Sequence, residues 1–270
     1  MADEPEWIPA GTDTKQANVA RVYDYWLGGT HNFLADQDLG RSIAAVEPNV
    51  RLIARANRAF LGRAVRFLTA AGISQFLDIG SGIPTQGNVH EVAQQADPGA
   101  RVVYVDVDPV AIAHSKAILA GQPDIAVFEA DLRDPEKILA SPEVGRVIDF
   151  SQPAGLLLVA VLHFIASADD PWRLVATLRD ALAPGSYLIL GQATSEGRTA
   201  RNEAFEKMYN RSVATSIHLR SRAEIERFFD GFRVVEPGVV WVPQWRPDSQ
   251  ADVLEDSSRS GNLVGVARKD

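Results

Sequence analysis

Cysteine is absent from this chain of 270 residues. Its absence excludes disulfide bonds, thiolate metal ligands and a cysteine nucleophile. Histidine, aspartate and glutamate do not cluster with the spacing of metal ligands, so we expect no metal site. No serine lies in the strand–turn–helix context of a nucleophile elbow, and the sequence therefore gives no indication of a hydrolase.

Long apolar runs are also lacking. The first 14 residues are polar and acidic, which is unlike a secretory signal peptide. The longest apolar run, over residues 154–165, contains His163 and is too short to span a bilayer. We therefore expect a cytoplasmic protein with no membrane partner.

Positive charge is scarce, because the formal net charge is -8. Phosphate backbones are bound by clustered lysine and arginine, so nucleic acid is not the expected partner. A basic groove inside an acidic protein stays open as an alternative.

What the chain does have is an alternation of strand and helix patterns. Apolar runs typical of strands begin near residues 73, 101, 125, 155, 187, 232 and 263, and helical patterns separate the first five. Such alternation predicts an α/β fold with a mostly parallel sheet that helices cover on both faces. The last two strands have no helix between them, so one is expected to be antiparallel at the sheet edge. We predict a single Rossmann-like, seven-stranded domain over residues 73–270.

The region ahead of this domain is patterned differently. Residues 1–14 are predicted to be a disordered tail. Residues 15–72 are predicted to form a helical lid over the active site, because an amphipathic helix there ends at two glycines and a polar loop. Near the other end of the chain, the polar segment 243–261 is predicted to be a mobile loop.

The most informative motif spans residues 77–85, Leu-Asp-Ile-Gly-Ser-Gly-Ile-Pro-Thr. A strand leads into a turn whose glycines have no side chain, so the backbone can lie directly against a ligand. Asp106 ends the second strand, where an acid accepts hydrogen bonds from ribose hydroxyls. Asp131 ends the third strand and is placed to accept from an adenine amino group, while Leu132 presents an apolar face. Asp108 fits a helix cap better, because Pro109 follows it.

The glycine turn and the strand-end acids suit a ligand with an adenosine group, such as NAD(P) or S-adenosylmethionine (SAM), and two function classes stay open beside a SAM-dependent enzyme. An NAD(P)-dependent oxidoreductase usually has a third glycine where this chain has Thr85. SAM has no pyrophosphate, so a looser loop suits it better. A non-catalytic SAM-binding protein that has kept the fold is the second alternative.

The glycine loop, Asp106 and Asp131 resemble the motifs of class I SAM-dependent methyltransferases. Four stretches resemble more closely one family of actinobacterial S-adenosyl methyltransferases, formerly described as a domain of unknown function: residues 22–29 with 31–33, 55–61, 75–85 and 103–109. The resemblance covers nearly the whole chain after residue 14. It implies the seven-stranded fold and SAM as cofactor, with S-adenosylhomocysteine (SAH) as product, but no defined acceptor. The chain departs from the generic glycine pattern at Pro84 and Thr85, next to the methionine end of the cofactor.

These observations predict the residues of the site. The expected cofactor-binding residues are Asp78, Gly80, Ser81, Gly82, Asp106, Val107, Asp131 and Leu132, together with Arg58. Arg58 would pair with the methionine carboxylate, and a solvated arginine is the alternative.

A small-molecule acceptor is expected between the N-terminal helices and residues 192–220. Tyr23, His31 and Asn32 are the expected substrate-binding residues, with core packing as the alternative role of Tyr23. His31 and His163 are the candidate catalytic residues, because histidine titrates near neutral pH. A general base is needed only if the acceptor must lose a proton early.

Overall fold

The structure is a computed structural model that describes residues 13–84, 87–197, 199–212 and 215–270. Most of the predicted tail, residues 1–12, lies outside the described residues, as does Thr85. Among the described residues, no helix is both long enough and apolar enough to cross a membrane.

Helices and strands follow one another largely as the sequence predicts. The helices are α1 (Val19–Leu27), α2 (Leu34–Val46), α3 (Val50–Ala70), α4 (Val89–Ala96), α5 (Pro109–Ile118), α6 (Pro135–Leu139), α7 (Pro142–Val147), α8 (Pro171–Ala181), α9 (Thr199–Ser212) and α10 (Arg222–Glu226). The strands are β1 (Gln75–Ile79), β2 (Arg101–Asp106), β3 (Ile125–Glu129), β4 (Gly155–Val159), β5 (Tyr187–Ala193), β6 (Arg233–Val234), β7 (Val240–Trp241) and β8 (Asn262–Arg268).

The strands form one sheet in the order β3-β2-β1-β4-β5-β8-β6, with β7 also paired to β8. Strands β1 to β5 are parallel, and β8 runs antiparallel to β5, β6 and β7. The predicted, mostly parallel α/β fold is confirmed. The described sheet has eight strands rather than the predicted seven, because the two-residue β7 was not foreseen.

The order of the strands determines where a ligand is expected. The chain moves outward from β1 to β3 and then returns to place β4 on the other side of β1. In open α/β sheets, such a reversal opens a crevice at the carboxyl ends of the strands, and ligands bind there.

Local signals explain where the helices begin. The Glu91 carboxylate accepts a hydrogen bond from the Asn88 amide at 2.8 Å, as in a capping box at the start of α4. Asp108 caps α5 as predicted, since its Oδ1 accepts from the Val110 amide at 3.0 Å and Pro109 occupies the first helical position.

Apolar side chains form three clusters in the described chain. Two of them cover the two faces of the sheet, and α3 belongs to one of these through Phe60 and Leu68. A third cluster, which we call the cap cluster, joins α1, α2 and α9 to the segment 217–219. Its members are Val22, Leu39, Ile43, Val50, Ala193, Tyr209 and Ile217, with Val19, Trp26, Phe164, Phe205, Met208 and Leu219 among the partly buried residues against it.

The segment predicted to be a mobile polar loop, residues 243–261, is anchored to α3 at its start. Trp245 is fully buried against Phe60 and Phe67. Arg63 on α3 donates to the carbonyl oxygens of Val242 and Trp245, at 2.9 Å each. The start of this segment is therefore anchored to the fold through Trp245, while most of the described side chains over 246–256 stay exposed.

Candidate functional site

A cavity of about 380 Å³ lies at the carboxyl ends of β1 to β4. Its size falls in the range of small-molecule sites, about 300–1,000 Å³. The strand ends contribute residues 78–82, 106–108, 130–133 and 159–161 to its wall. Residues of α1, α3 and α9 and of the segment 215–219 form the opposite wall.

The glycine loop that follows β1 borders this cavity. Gly80 and Gly82 both have positive φ, +76° and +66°, a conformation that glycine adopts without strain. A Cβ atom at Gly80 would lie 2.4 Å from Val161 Cγ2, whereas a Cβ at Gly82 would meet no atom within 4 Å. Ser81 also lines the cavity. Gly80 is therefore required by the packing of the protein, and Gly82 exposes its backbone to the free volume of the cavity.

Asp106 connects the end of β2 to this loop. Its Oδ2 accepts from the Gly82 amide at 2.7 Å, and its Oδ1 accepts from the Asp108 amide at 2.9 Å. Burial raises the pKa of this carboxyl, and hydrogen bonds from the Asp108, Gly82 and Val107 amides oppose the rise. Each carboxylate oxygen has two acceptor positions, so Asp106 can hold the loop and still accept from a ligand.

An apolar surface lies beside Asp106. The Val107 side chain is 62% exposed although it is apolar, and Leu132 from the next strand end is buried at the wall of the same cavity. Asp131 accepts from the Arg133 amide and from Arg133 Nη1, both at 2.8 Å. An apolar surface flanked by a carboxylate fits a heteroaromatic ring that carries an amino group.

A buried carboxylate, Asp78, occupies the other side of the glycine loop. The pKa of Asp78 is raised to about 7, mainly by burial; the charge of Arg58 opposes this rise, and nearby Asp106 adds a smaller contribution to it. Arg58 on α3 is half-buried and lines the cavity with Asp78. A buried acid and an arginine so placed fit a ligand that bears both an ammonium and a carboxylate group.

His163 and Tyr23, predicted from the sequence, both border the cavity. The pKa of His163 is lowered to about 3, mainly by burial and further by the charges of Arg220 and His218. Its imidazole is therefore neutral at physiological pH. The Tyr23 hydroxyl donates to the Ala54 carbonyl at 3.0 Å and accepts from Asn57 Nδ2 at 3.2 Å.

A buried arginine, Arg220, fixes the turn that carries His163. Its guanidinium donates to the carbonyls of Leu162 at 2.8 Å and Ile165 at 2.6 Å, and it lies over the rings of Trp172 and Phe228. The sequence analysis missed this residue, because an arginine near the end of a polar segment gives no sign that it is buried.

The structure does not bring His31 and Asn32 to the cavity within the part of the chain that it describes. The His31 ring packs on the His114 ring, with 3.6 Å between centroids. Asn32 donates through Nδ2 to Asp24 Oδ2 at 2.8 Å, and the His31 amide donates to the same oxygen at 2.9 Å. Asp24 thus holds the loop that follows α1. The sequence analysis did not predict this role of Asp24.

Several wall residues were foreseen only as part of a segment. Phe205 and Tyr209 of α9 and residues 215, 217 and 219 lie within the predicted acceptor region 192–220 and line the cavity. Asn57 and Phe164 also line it and were not singled out. The signals that could have indicated them were the family-like stretch 55–61 for Asn57 and the neighbouring candidate His163 for Phe164.

Comparisons with known proteins agree along the whole chain. A family model described as S-adenosyl methyltransferase matches residues 5–270. A Thermobifida fusca YX protein assigned as a methyltransferase is 45% identical, with a TM-score of 0.91 over 98% of this chain and 100% of that chain. A DUF574 family protein from Streptomyces avermitilis MA-4680 is 39% identical, with a TM-score of 0.91 over 96% of this chain and 99% of that chain. No curated protein matches the chain significantly.

Proposed function

The chain belongs to the S-adenosyl methyltransferase family, and from that premise we propose that it methylates a small-molecule acceptor bound beneath α1 and α9. The predicted family, the SAM cofactor and the enzyme class are confirmed. The observation that carries the proposal is a single cavity with a glycine loop and acids at one end and apolar helices at the other. One end suits the cofactor, and the other leaves room for an acceptor.

We propose that the strand ends bind the cofactor as the sequence predicts. Asp106 would accept from the ribose hydroxyls while it holds the Gly82 amide. Val107 and Leu132 would enclose the adenine, with Asp131 accepting from its amino group. When bound, SAM supplies a methyl group already activated on a sulfonium sulfur.

The methionine end would lie against Gly80, Ser81 and Gly82. Asp78 would hold the ammonium group, since its carboxylate accepts no hydrogen bond from the described residues, and Arg58 would pair with the carboxylate of the ligand. Supporting this assignment, both charges already face the same cavity, and a bound ammonium would offset the cost of ionising a buried acid.

Positioning is the main task left to the protein, because the methyl donor needs no further activation. Of the two predicted catalytic candidates, His163 borders the cavity and His31 packs on His114. A histidine whose pKa is about 3 is a weak base. We propose that neutral His163 orients the acceptor and that Tyr23 closes the wall beside it.

We also propose that α1 acts as a lid within an N-terminal cap, and that residues 73–270 form the cofactor domain. Asn18, Val19, Tyr23 and Trp26 border the cavity from this helix and its cap, so a movement of α1 would open the acceptor end. Closure of such elements excludes water from the reacting groups.

Calorimetry and turnover together test the proposed function. SAM and SAH should bind the purified protein with one site per chain, and NADH and NADPH should not. Incubation with SAM and a library of small organic acceptors should release SAH. Binding of NAD(P)H in place of SAM would contradict the proposal, and tight SAM binding without turnover of any acceptor would favour the non-catalytic alternative.

A further inference from the structure

Charge is separated along the cavity. The acids Asp78, Asp106, Asp108 and Asp131 and the cations Arg58 and Arg133 all lie at or beside the glycine loop and the ends of β2 and β3. The described wall residues from α1, α9, 163–165 and 215–219 carry no formal charge at neutral pH. Glu47 borders the cavity near α3, and its Oε1 is occupied by the Asn49 amide at 2.9 Å and Asn49 Nδ2 at 2.7 Å.

The uncharged end is rich in aromatic rings. Phe164 and Tyr209 stack with 6.4 Å between centroids, and Phe205 lies 5.7 Å from Tyr209. His163 meets Phe164 edge to face at 4.3 Å. The rings of Phe164, Phe205, Tyr209 and Trp26 line the cavity together, and we call them the aromatic wall.

Two polar groups of this end, the Trp26 indole N–H and the Tyr23 hydroxyl, are bonded to the protein. Trp26 Nε1 donates to the Gly40 carbonyl at 3.3 Å, so the Trp26 ring borders the cavity with its apolar carbon atoms. The Tyr23 hydroxyl is likewise held by Ala54 and Asn57. Phe164, Phe205 and Trp26 stay only partly buried although they belong to the cap cluster.

His163 lies between the aromatic wall and the glycine loop. Val161, two residues before it, packs against Gly80, while the His163 ring itself contacts Phe164. An acceptor on the aromatic wall would therefore present its near end to the cofactor at His163.

From this arrangement we infer that the acceptor is a neutral aromatic small molecule that stacks on the aromatic wall. The inference rests on the proposed function. A charged acceptor would lose its hydration there and would find no counter-charge among the described wall residues of α1, α9, 163–165 and 215–219, while the nearby Glu47 carboxylate is already bonded to Asn49. An aromatic ring gains buried apolar area and favourable ring–ring geometry, and a saturated molecule of similar size gains only the area.

Four probes of similar size test this inference by calorimetry: 2-naphthol, 2-naphthoate, 2-naphthylmethylammonium and 2-decalol. Each is titrated into the free protein and into its SAH complex. We expect 2-naphthol to bind the SAH complex roughly tenfold more tightly than the charged probes and several-fold more tightly than saturated 2-decalol.

A matched pair of variants on α9 locates the binding. Phe205→Ala should weaken 2-naphthol binding about fivefold or more and leave the SAH dissociation constant unchanged. Met208→Ala should change neither, because Met208 belongs to the cap cluster but is not among the residues that line the cavity.

The outcomes separate the inference from the proposed function. Equal or tighter binding of either charged probe, or of 2-decalol, would overturn the neutral aromatic class. Absence of 2-naphthol binding while SAH binds normally, or an unchanged affinity in Phe205→Ala, would also overturn it. Failure of SAH to bind would instead refute the proposed function. The titrations of the free protein would then still show which probes the aromatic wall binds.

Discussion

At the scale of single residues, Asp106 is the side chain whose role is most sharply defined. Asp106→Ala removes the acceptor proposed for the ribose and releases the Gly82 amide. Hydrogen bonds to a charged group contribute about 1.5–3 kcal/mol, so the SAH dissociation constant should rise about tenfold or more. Calorimetry measures the change.

Two controls accompany this variant. Asp106→Asn keeps one acceptor oxygen and should lose less affinity than Asp106→Ala, and thermal unfolding should show that both variants are folded. A folded Asp106→Ala variant with unchanged affinity for SAH would remove Asp106 from the site.

Asp78 should make cofactor binding depend on pH. Its pKa is about 7 in the folded protein, against an ordinary value of 3.8. The folded state keeps this proton to higher pH than the unfolded chain, so ionising Asp78 lowers the stability of the free protein as pH rises from about 4 to about 7. A bound ammonium reverses the preference, because it favours the ionised form.

SAH should therefore bind more tightly as pH rises toward 7, by up to about tenfold per unit below the pKa, and level off above it. Asp78→Asn should bind SAH weakly, and the step near pH 7 should disappear. A wild-type profile that is flat between pH 5.5 and 7.5 would show that Asp78 does not bind the ammonium.

At the scale of elements, a buried ion pair fastens α1 to α2. Arg21 Nε lies 3.0 Å from Asp36 Oδ2, and Asp36 also accepts from the amides of Asn18 and Phe33. Breaking a buried pair from one side leaves an uncompensated charge and costs about 3–5 kcal/mol. Asp36→Ala should lower the free energy of unfolding by about that amount in chemical denaturation.

Asp38→Ala on the same helix is the matched control. Asp38 pairs with Arg41 on the surface and its side chain is 73% exposed. Exposed pairs contribute little, so this variant should unfold almost as the wild type does. Equal effects of the two substitutions would mean that Asp36 does not fasten α1.

The proposed lid makes a separate prediction about α1 and the loop after it. Asp24 holds this loop through the His31 amide and Asn32. If α1 closes over bound cofactor, residues 28–33 should exchange their amide hydrogens more slowly when SAH is added. Exchange that is independent of SAH would identify the segment as a fixed part of the fold.

Short-range patterns explain which elements the sequence could predict. The cap at Asp108 and the apolar strands depend on neighbours in the chain, and they were predicted correctly. The burial of Trp245 in the segment 243–261 was not foreseen, because the polar composition of the segment hides this anchoring residue. Only the folded chain shows that Trp245 packs against Phe60 and Phe67 of α3.

At the scale of the whole molecule, the cofactor end of the site could be predicted from short-range sequence patterns, whereas the acceptor end could not. The glycine loop, Asp106 and Asp131 end consecutive strands, so a parallel sheet must bring them to one edge. The acceptor end depends on how α1 and α9 pack across the sheet. The sequence therefore placed Tyr23 and His31 together as candidates, although one faces the cavity and the other packs on α5 through His114.

The arrangement of the whole molecule also explains why one cavity can serve both ligands. The sheet reverses its strand order between β1 and β4, and the cap cluster covers the crevice that results. Polar strand ends and an apolar cap thus face each other across a single space. The polar strand ends determine the position proposed for the cofactor, and the apolar cap determines the position proposed for the acceptor.

A crystal structure of the protein with SAH tests the central claim most directly. We predict ribose hydroxyls within about 3 Å of the Asp106 carboxylate and adenine between Val107 and Leu132. The homocysteine amino group should lie at Asp78, and the space between His163 and Phe205 should remain for an acceptor. SAH bound outside this cavity, or an Asp106 that contacts only the Gly82 and Asp108 amides in the complex, would contradict the account.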